Sequence, residues 1–252
     1  MTIPQTILLS IVEGVTEFLP ISSTAHLILA GKLLNIESTE FTKSFDIIIQ
    51  LGAILAVVFL YRHKIVHSSF KLWKNIITAF IPTGIVGVLL YPLIKSYLLG
   101  NSLVASIALI LGGIALLFFD KFEHRLTSTK NLTTKSYLSI GISQSLSVIP
   151  GVSRSAASIV GGLFSGLDRK QAVEFSFFLA IPTMFAASTL DLIKTSTTFS
   201  SQEIQLLSLG FICSFISATI AVKAFVSFVS HHNFTGFAIY RIIAGIIFLI
   251  LK

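Results

Sequence analysis

Long apolar runs, separated by short polar connections, dominate the hydrophobic pattern of this chain. A bilayer core of about 30 Å needs roughly 20 apolar residues of α-helix, and six runs meet that length. They cover residues 45–61, 76–94, 102–119, 172–193, 204–222 and 235–251. Two further apolar stretches, 3–34 and 137–167, are each interrupted by a proline followed by hydroxyl residues. Because such interruptions break a helix and leave backbone that cannot face lipid, we predict two re-entrant helix hairpins. The alternative is a pair of kinked spanning helices.

The two halves of the chain follow the same order of elements, a broken hairpin and then three spans. An offset of about 130 residues places the interruption at Pro20 over the interruption at Pro150. Because three is odd, the second half is inverted relative to the first, as in transporters whose broken helices meet near the membrane midplane. We predict an all-α polytopic membrane protein with a single membrane domain. Repeat one covers about residues 1–125 and repeat two about 135–252.

Composition agrees with a membrane protein and excludes other classes. Of the 252 residues, 54% are hydrophobic and only 12% are charged, whereas a soluble domain carries about 25% charged residues. A water-soluble enzyme, a disordered chain and a nucleic-acid-binding protein are therefore excluded. The single cysteine, Cys213, excludes a disulfide framework and a cysteine-rich metal site.

The net charge of +7 reports membrane topology rather than a polyanionic partner. Eleven of the eighteen Lys and Arg residues lie on one side of the predicted domain: Arg62, Lys64, Lys71, Lys74, Lys121, Arg125, Lys130, Lys135, Arg169, Lys170 and Lys223. Five lie on the other side: Lys32, Lys43, Lys95, Lys194 and Lys252. The positive-inside rule puts the eleven in the cytoplasm, so hairpin one opens from the outer face.

Charged side chains inside the apolar stretches need a reason, because each costs about 2.5–3.5 kcal/mol on insertion scales. Glu13 and Glu17 in hairpin one are four residues apart, so both carboxylates project from one helix face. They repel each other unless a cation, a proton or an arginine lies between them, and an ion or proton site of a transporter is one alternative. Arg241 in the last span is expected to neutralise a carboxylate, with Asp46, Glu174 and Asp191 as the candidates.

Hydroxyl residues follow the break in hairpin one. Ser22, Ser23 and Thr24 fall at the start of the second half-helix, where free N–H groups and the positive dipole end favour an anion. His26 reaches the same face as Ser23. The alternatives are that one hydroxyl caps the half-helix and that His26 is a satisfied interior histidine.

Hairpin two adds a cation to this chemistry. Arg154 lies at a half-helix start between Ser153 and Ser155, and a guanidinium among hydroxyls and N-terminal amides suits a phosphate or pyrophosphate. The alternative, that Arg154 only neutralises the two glutamates, leaves the hydroxyls unexplained. Together the hairpins indicate phosphoryl chemistry more than ion transport.

Two motifs carry a family resemblance. The runs EGVTEFLPISSTAH (13–26) and PGVSRS (150–155) resemble the signature motifs of the undecaprenyl-pyrophosphate phosphatase family of the bacitracin-resistance type, as do shorter stretches at 45–52, 174–177 and 237–241. Ser158 stands where the family pattern usually has Thr. The resemblance implies a membrane enzyme that converts undecaprenyl pyrophosphate to undecaprenyl phosphate, which carries peptidoglycan and other envelope polymers. It also implies bacitracin resistance and an active site at the outer face of the bacterial inner membrane.

The resemblance also implies roles for individual residues. Ser23 is the expected nucleophile, His26 its base, and Glu17 an orienting or assisting group; attack by His26 or by water is the alternative. Glu13 completes the acidic motif and, with Glu17, is expected to bind a divalent cation, Mg²⁺ or Ca²⁺. Arg154 is expected to hold the pyrophosphate, supported by a group of polar residues: Ser153, Ser155, Ser22, Thr24 and Gln50.

The expected partners are undecaprenyl pyrophosphate and membrane lipid, and the sequence leaves a homodimer open. A function from another class is a lipid-phosphate flippase or transporter built on the same inverted repeat. Phosphate release by the purified protein distinguishes the two.

Overall fold

The computed structural model of the protein describes residues 1–37, 39–98, 100–122, 132–194 and 199–250. All regular elements within these ranges are helical, which confirms the predicted all-α class. The α-helices are α1 (Ile3–Thr16), α2 (Ser23–Leu33), α3 (Glu40–Leu60), α4 (Arg62–Val66), α5 (Phe70–Leu93), α6 (Ser102–Phe122), α7 (Thr134–Ser145), α8 (Arg154–Phe164), α9 (Arg169–Lys194), α10 (Ser201–Val229) and α11 (Thr235–Ile250). A π-helical turn (Ile94–Leu98) continues α5, and a 3-10 turn (Leu146–Val148) continues α7.

Five of the described helices, α3, α5, α6, α9 and α10, are long and apolar enough to cross a membrane. This confirms a polytopic membrane protein. The predicted sixth span, 235–251, corresponds to α11, which has 16 residues. At about 1.5 Å per residue α11 rises about 24 Å, less than a bilayer core of about 30 Å. A count of six spans therefore stays a prediction.

Each predicted interruption separates two short helices that pack against each other, α1 against α2 and α7 against α8. The residue before the second helix has a positive φ in both cases, 69° at Ser22 and 73° at Ser153. A residue with a Cβ atom rarely adopts this conformation, which costs of order 1–3 kcal/mol. Ser153 lies 131 residues after Ser22, so the same strained backbone occurs at matching positions of the two halves.

Helix pairings recur when the two halves are exchanged. Helix α1 packs on α10 as α7 packs on α5, and α3 packs on α10 as α9 packs on α5. Helix α6 packs on α11, and α3 packs on α9. This is the pattern that a two-fold relation between the halves would produce, and the inverted repeat stays a prediction.

Two glycines allow α10 to approach α1 and α3 closely. A Cβ atom on Gly14 of α1 would lie 2.5 Å from the Ser214 carbonyl oxygen, and one on Gly52 of α3 would lie 2.5 Å from that of Phe211. Small residues serve this purpose between membrane helices, where backbone proximity supplies the packing energy. The close packing positions α1, and with it the acidic motif, against the centre of the bundle.

The main apolar core includes Phe18, which lies in the break between α1 and α2. Phe18 and Phe177 are fully buried there, with their rings edge to face at a centroid distance of 5.4 Å. Because Phe18 follows Glu17 in the sequence, this packing holds the end of α1 in place.

Candidate active site

Glu17, Ser23 and Arg154 meet where the two hairpins break. The Ser23 hydroxyl donates a short hydrogen bond to Oε2 of Glu17. The other carboxylate oxygen, Oε1, accepts from Nη2 of Arg154 at 2.9 Å. The side chains of this ion pair are only 10% and 5% exposed. The structure therefore joins three predicted site residues from motifs far apart in the chain.

Helix ends explain this convergence. Glu17 is the C-cap of α1, Ser23 is the first residue of α2 and Arg154 is the first residue of α8. The N-termini of α2 and α8 thus lie next to the ion pair and add the positive ends of two helix dipoles. Ser153 caps α8 by accepting from the Ala156 N–H at 3.2 Å. The N-cap of α2, Ser22, forms no such side-chain bond, so the alternative that Ser22 serves as a side-chain cap in hairpin one is wrong.

Arg154 is anchored by a second helix. Its Nη1 atom donates to the Ser176 carbonyl oxygen on α9 at 3.0 Å, and its guanidinium lies 5.6 Å from the Phe18 ring centroid. Ser158, the departure from the family motif, donates to the Ser176 hydroxyl at 2.7 Å. The guanidinium plane is therefore held from two directions. The buried Nε atom has no hydrogen-bond partner among the described residues.

Ser155 joins the two hairpins. Its fully buried hydroxyl donates to the Phe18 carbonyl oxygen at 2.7 Å. This bond aligns the start of α8 with the end of α1, a positioning contact that the sequence analysis did not foresee.

The structure does not bring His26 to Ser23. The His26 Nδ1 atom lies 2.7 Å from the Ser22 carbonyl oxygen, and Nε2 lies 2.7 Å from the Tyr240 hydroxyl on α11. Because a carbonyl oxygen only accepts, Nδ1 carries the proton, and in the neutral ring Nε2 accepts from Tyr240. The two rings are also stacked, with centroids 5.6 Å apart. The carboxylate of Glu17, rather than the His26 ring, contacts the predicted nucleophile.

Glu13 lies one turn before Glu17 and is 1% exposed. Its charged neighbours are Glu17, Asp46 and Arg154. Its Oε1 atom has no hydrogen-bond partner in the described ranges, whereas both oxygens of Glu17 are engaged. The described residues contain no group of three or more metal-ligating side chains. One carboxylate oxygen of the pair is thus unpartnered among the described residues, and it is buried. A cation bound there would take its other ligands from phosphate and water.

A cavity of about 370 Å³ opens beside the ion pair. One part is lined by seven of the predicted site residues: Glu17, Ser22, Ser23, Thr24, Gln50, Ser153 and Arg154. The other part is lined mainly by apolar residues of α5 and α9: Phe80, Gly84, Gly87, Val88, Tyr91, Ala186, Ala187 and Leu190. Glu13, His26 and Ser155 are outside this lining. The cavity is amphiphilic: most of its polar groups belong to the hairpin breaks, and Thr83, Thr183 and Ser188 add hydroxyls from α5 and α9.

The partners of Arg241 are backbone carbonyls rather than the predicted carboxylate. Its fully buried guanidinium donates to the carbonyl oxygens of Pro20 at 3.1 Å, Gly151 at 2.8 Å and Val152 at 3.0 Å. The expected partner Glu174 is instead paired with Lys64 at 2.5 Å, and the side chain of Asp191 is outside the described residues. Arg241 therefore contacts backbone from both hairpin breaks. The charge inside an apolar span indicated a special residue, but its partners could not be identified from sequence.

Comparison with known proteins assigns the family. The family model for bacitracin resistance protein BacA matches residues 6–247. An undecaprenyl-diphosphatase of Aquifex aeolicus is 53% identical, over 98% of this chain and 98% of that protein. Undecaprenyl-diphosphatases of Persephonella marina and Wolinella succinogenes are each 51% identical, over 99% of this chain and over 99% and 98% of their own lengths. With this coverage and these motifs, the chain belongs to the bacitracin resistance protein BacA family.

Proposed function

We propose that this protein is an integral-membrane undecaprenyl-diphosphatase. It hydrolyses undecaprenyl pyrophosphate to undecaprenyl phosphate and inorganic phosphate, recycles the carrier lipid for peptidoglycan and other envelope polymers, and confers bacitracin resistance. The observation that carries the proposal is the contact of Ser23 and Arg154 with one carboxylate, Glu17, at the edge of an amphiphilic cavity. Relatives at 51–53% identity bear the name of this activity.

The electrostatics suit a pyrophosphate. Phosphoryl transfer is helped mainly by positioning and by neutralising charge on the phosphate oxygens. Arg154 supplies a planar guanidinium, and the N-termini of α2 and α8 supply the positive ends of two helix dipoles. Thr24, Ser22, Ser153 and Gln50 line the same part of the cavity and add donors for the phosphate oxygens.

The contacts favour Ser23 as nucleophile and Glu17 as its base. In the proposed step the Ser23 proton passes to Oε2 of Glu17, and the Oγ–phosphorus bond forms on the terminal phosphate. The bond from that phosphorus to the bridging oxygen breaks, and its electron pair leaves with the lipid phosphate. Water then hydrolyses the phosphoserine. We assign His26 a positioning role, because its ring holds the Ser22 carbonyl next to the nucleophile.

A divalent cation, Mg²⁺ or Ca²⁺, belongs to the proposal as a companion of the substrate. Mg²⁺ in proteins is commonly held by one or two carboxylates plus substrate phosphates and water. Glu13, whose buried Oε1 atom has no partner among the described residues, is the proposed ligand, and Glu17 contributes charge. When bound, the cation neutralises pyrophosphate charge.

The apolar part of the cavity suits the start of the prenyl chain. Phe80, Gly84, Gly87 and Tyr91 share one face of α5, which they cover for about 16 Å at about 1.5 Å per residue. Helix α5 is also the least buried of the five candidate spans, with 17% of its apolar window buried. We propose that the tail leaves the headgroup along this face and continues into lipid.

The proposed topology is six crossings plus two re-entrant hairpins, related as inverted repeats, in the bacterial inner membrane. The exchange symmetry of the helix pairings supports the repeat. The excess of eleven over five basic residues supports a cytoplasmic position for α4 and an active site open to the outer face. A homodimer stays a prediction.

The repeat also motivates the second candidate, a lipid-phosphate flippase or transporter. At the offset of 131 residues, which matches Ser22 with Ser153, Glu17 is matched with Val148 and Ser23 with Arg154. The halves thus share a backbone frame but differ in chemistry, and an asymmetric site favours the enzyme.

Phosphate release from undecaprenyl pyrophosphate by the purified protein, with Mg²⁺ or Ca²⁺, tests the proposed function. We expect release from the wild type and none from Ser23→Ala. Absence of release from the folded wild type with either cation overturns the enzyme in favour of the transporter.

A further inference from the structure

Ser188 on α9 is a buried hydroxyl in the wall of the catalytic cavity. It is 2% exposed, lines the cavity, and its Oγ atom has no hydrogen-bond partner among the described residues. Helical hydroxyls ordinarily donate to the carbonyl one turn back, as Thr183 of the same helix does to Leu179 at 2.7 Å. A hydroxyl that is buried without such a bond has lost its hydration without compensation. Because Ser188 also belongs to the cavity lining, its unpartnered hydroxyl is a candidate to bond to a ligand.

A second unpartnered donor lies nearby. The Nε atom of Arg154 is buried without a partner in the described part of the chain, while Nη1 and Nη2 are bound to Ser176 and Glu17. The Met184 sulfur, one turn before Ser188, is 3.8 Å from Nη2 of Arg154. Because residues four apart on a helix are neighbours at about 5–6 Å, Ser188 lies one turn from the guanidinium contact. Both unpartnered atoms are donors, so they complement an anionic oxygen.

The position of Ser188 indicates which phosphate it meets. Ser23 and Glu17 mark where the terminal phosphate is attacked, whereas Ala187 and Leu190 of α9 belong to the apolar part of the cavity. Ser188 lies among these α9 residues of the apolar part, one turn after Met184, which contacts the guanidinium. The group between a terminal phosphate and a prenyl tail is the phosphate attached to the lipid.

We propose that Ser188 Oγ and Arg154 Nε bind the lipid-attached phosphate and stabilise it as the leaving group; this rests on the proposed function. As the bond from the terminal phosphorus to the bridging oxygen breaks, the electron pair moves onto the lipid phosphate. Two donors fixed before the reaction stabilise that developing charge without reorganisation. Ser188 is thus a further substrate-binding residue, on a helix outside both signature motifs.

The test compares Ser188→Ala with Ser44→Ala. Ser44, on α3, is a matched control, because its hydroxyl is also buried without a partner among the residues that the structure describes, and it is not among the cavity-lining residues. We expect Ser188→Ala to lower kcat/KM for undecaprenyl pyrophosphate about tenfold or more, the scale of a hydrogen bond to a charged group. Ser188→Thr, which keeps the hydroxyl, restores most of the activity. Ser44→Ala behaves as the wild type.

Two further measurements separate binding from structure. Inhibition by a prenyl monophosphate weakens in Ser188→Ala, while inhibition by inorganic phosphate is unchanged. The melting temperature of Ser188→Ala is equal to or above that of the wild type, because an unsatisfied buried hydroxyl is removed. Wild-type kinetics in Ser188→Ala, equal weakening of both inhibitors, or a fall in melting temperature that accounts for the lost activity overturns the inference. Failure of the proposed function appears separately, as a wild type that releases no phosphate.

Discussion

Arg241 and Gly151 are 90 residues apart in sequence and are joined by a hydrogen bond of 2.8 Å from the guanidinium Nη2 to the carbonyl oxygen. The same guanidinium binds the Pro20 carbonyl at 3.1 Å. One side chain from α11 therefore holds the break of both hairpins. Backbone that leaves helical hydrogen bonding inside a membrane needs such partners, because water is absent. Arg241 is thus a positioning residue for the elements that carry Ser23 and Arg154.

Replacement of Arg241 by Lys tests this role. A lysine has one compact ammonium instead of a planar guanidinium, so it cannot bind the carbonyl oxygens of both hairpin breaks at once. We expect a lower melting temperature and a loss of kcat/KM of about 100-fold, since each hydrogen bond to a charged group contributes about 1.5–3 kcal/mol. Arg62→Lys is the control, because exposed Arg62 donates to a single carbonyl, that of Phe59. Equal behaviour of the two variants contradicts the prediction.

The choice between Glu17 and His26 as the base of Ser23 leads to a second prediction. Glu17→Gln keeps the shape but removes the proton acceptor, and we expect kcat to fall about 1,000-fold or more, since general-base catalysis contributes about 100- to 10,000-fold. His26→Gln and Tyr240→Phe disturb only the neighbouring turn, so we expect smaller losses of about tenfold. Measurement of kcat for the three variants checks the order. A larger loss in His26→Gln than in Glu17→Gln returns the base role to the histidine.

Arg154→Lys tests the guanidinium. Arg154 uses Nη1 for Ser176 and Nη2 for Glu17, and its Nε atom, which has no partner within the described ranges, is the one proposed to bind the substrate. An ammonium cannot serve these directions at once, so we expect kcat/KM to fall about 100-fold or more. Lys64→Arg is a control for a change of cation type, because the Lys64 side chain is half exposed and pairs with Glu174. Near-normal turnover in Arg154→Lys contradicts the role of the planar group.

Gly87→Leu tests the path of the prenyl tail. A Cβ atom on Gly87 meets nothing within 4 Å, and the residue lines the cavity, so a larger side chain narrows the apolar part without a backbone clash. We expect kcat/KM to fall about tenfold for undecaprenyl pyrophosphate, and less for isopentenyl pyrophosphate, whose short chain needs little of this surface.

Gly31→Leu is the matched control for that variant. Gly31 is also helical, its Cβ atom would also meet nothing within 4 Å, and it is not among the cavity-lining residues. We expect wild-type ratios between the two substrates in Gly31→Leu. The tail path is contradicted if Gly87→Leu shows the same ratio as its control.

Local features of the chain could be predicted from sequence. Apolar runs predicted the long helices, and proline followed by hydroxyls located both breaks, because helix formation and its interruption depend on neighbouring residues. The contact of Glu17 with Ser23 spans six residues across one turn, so hairpin one already brought these residues near each other. The phosphate-binding role of Arg154 was predicted from its position at the start of a half-helix and from the family motif.

Only the tertiary structure decided which groups meet across the bundle. The sequence predicted His26 as the partner of Ser23, but the packing of α11 turns its ring toward Tyr240, and the partners of Arg241 proved to be carbonyls rather than a carboxylate. Ser188 carried no signal, since one hydroxyl in an apolar helix looks like any other until its surroundings are known. The physical reason is common to all three: a helix determines its own face through local hydrogen bonds, whereas its rotation and depth against other helices follow from the packing of the whole bundle.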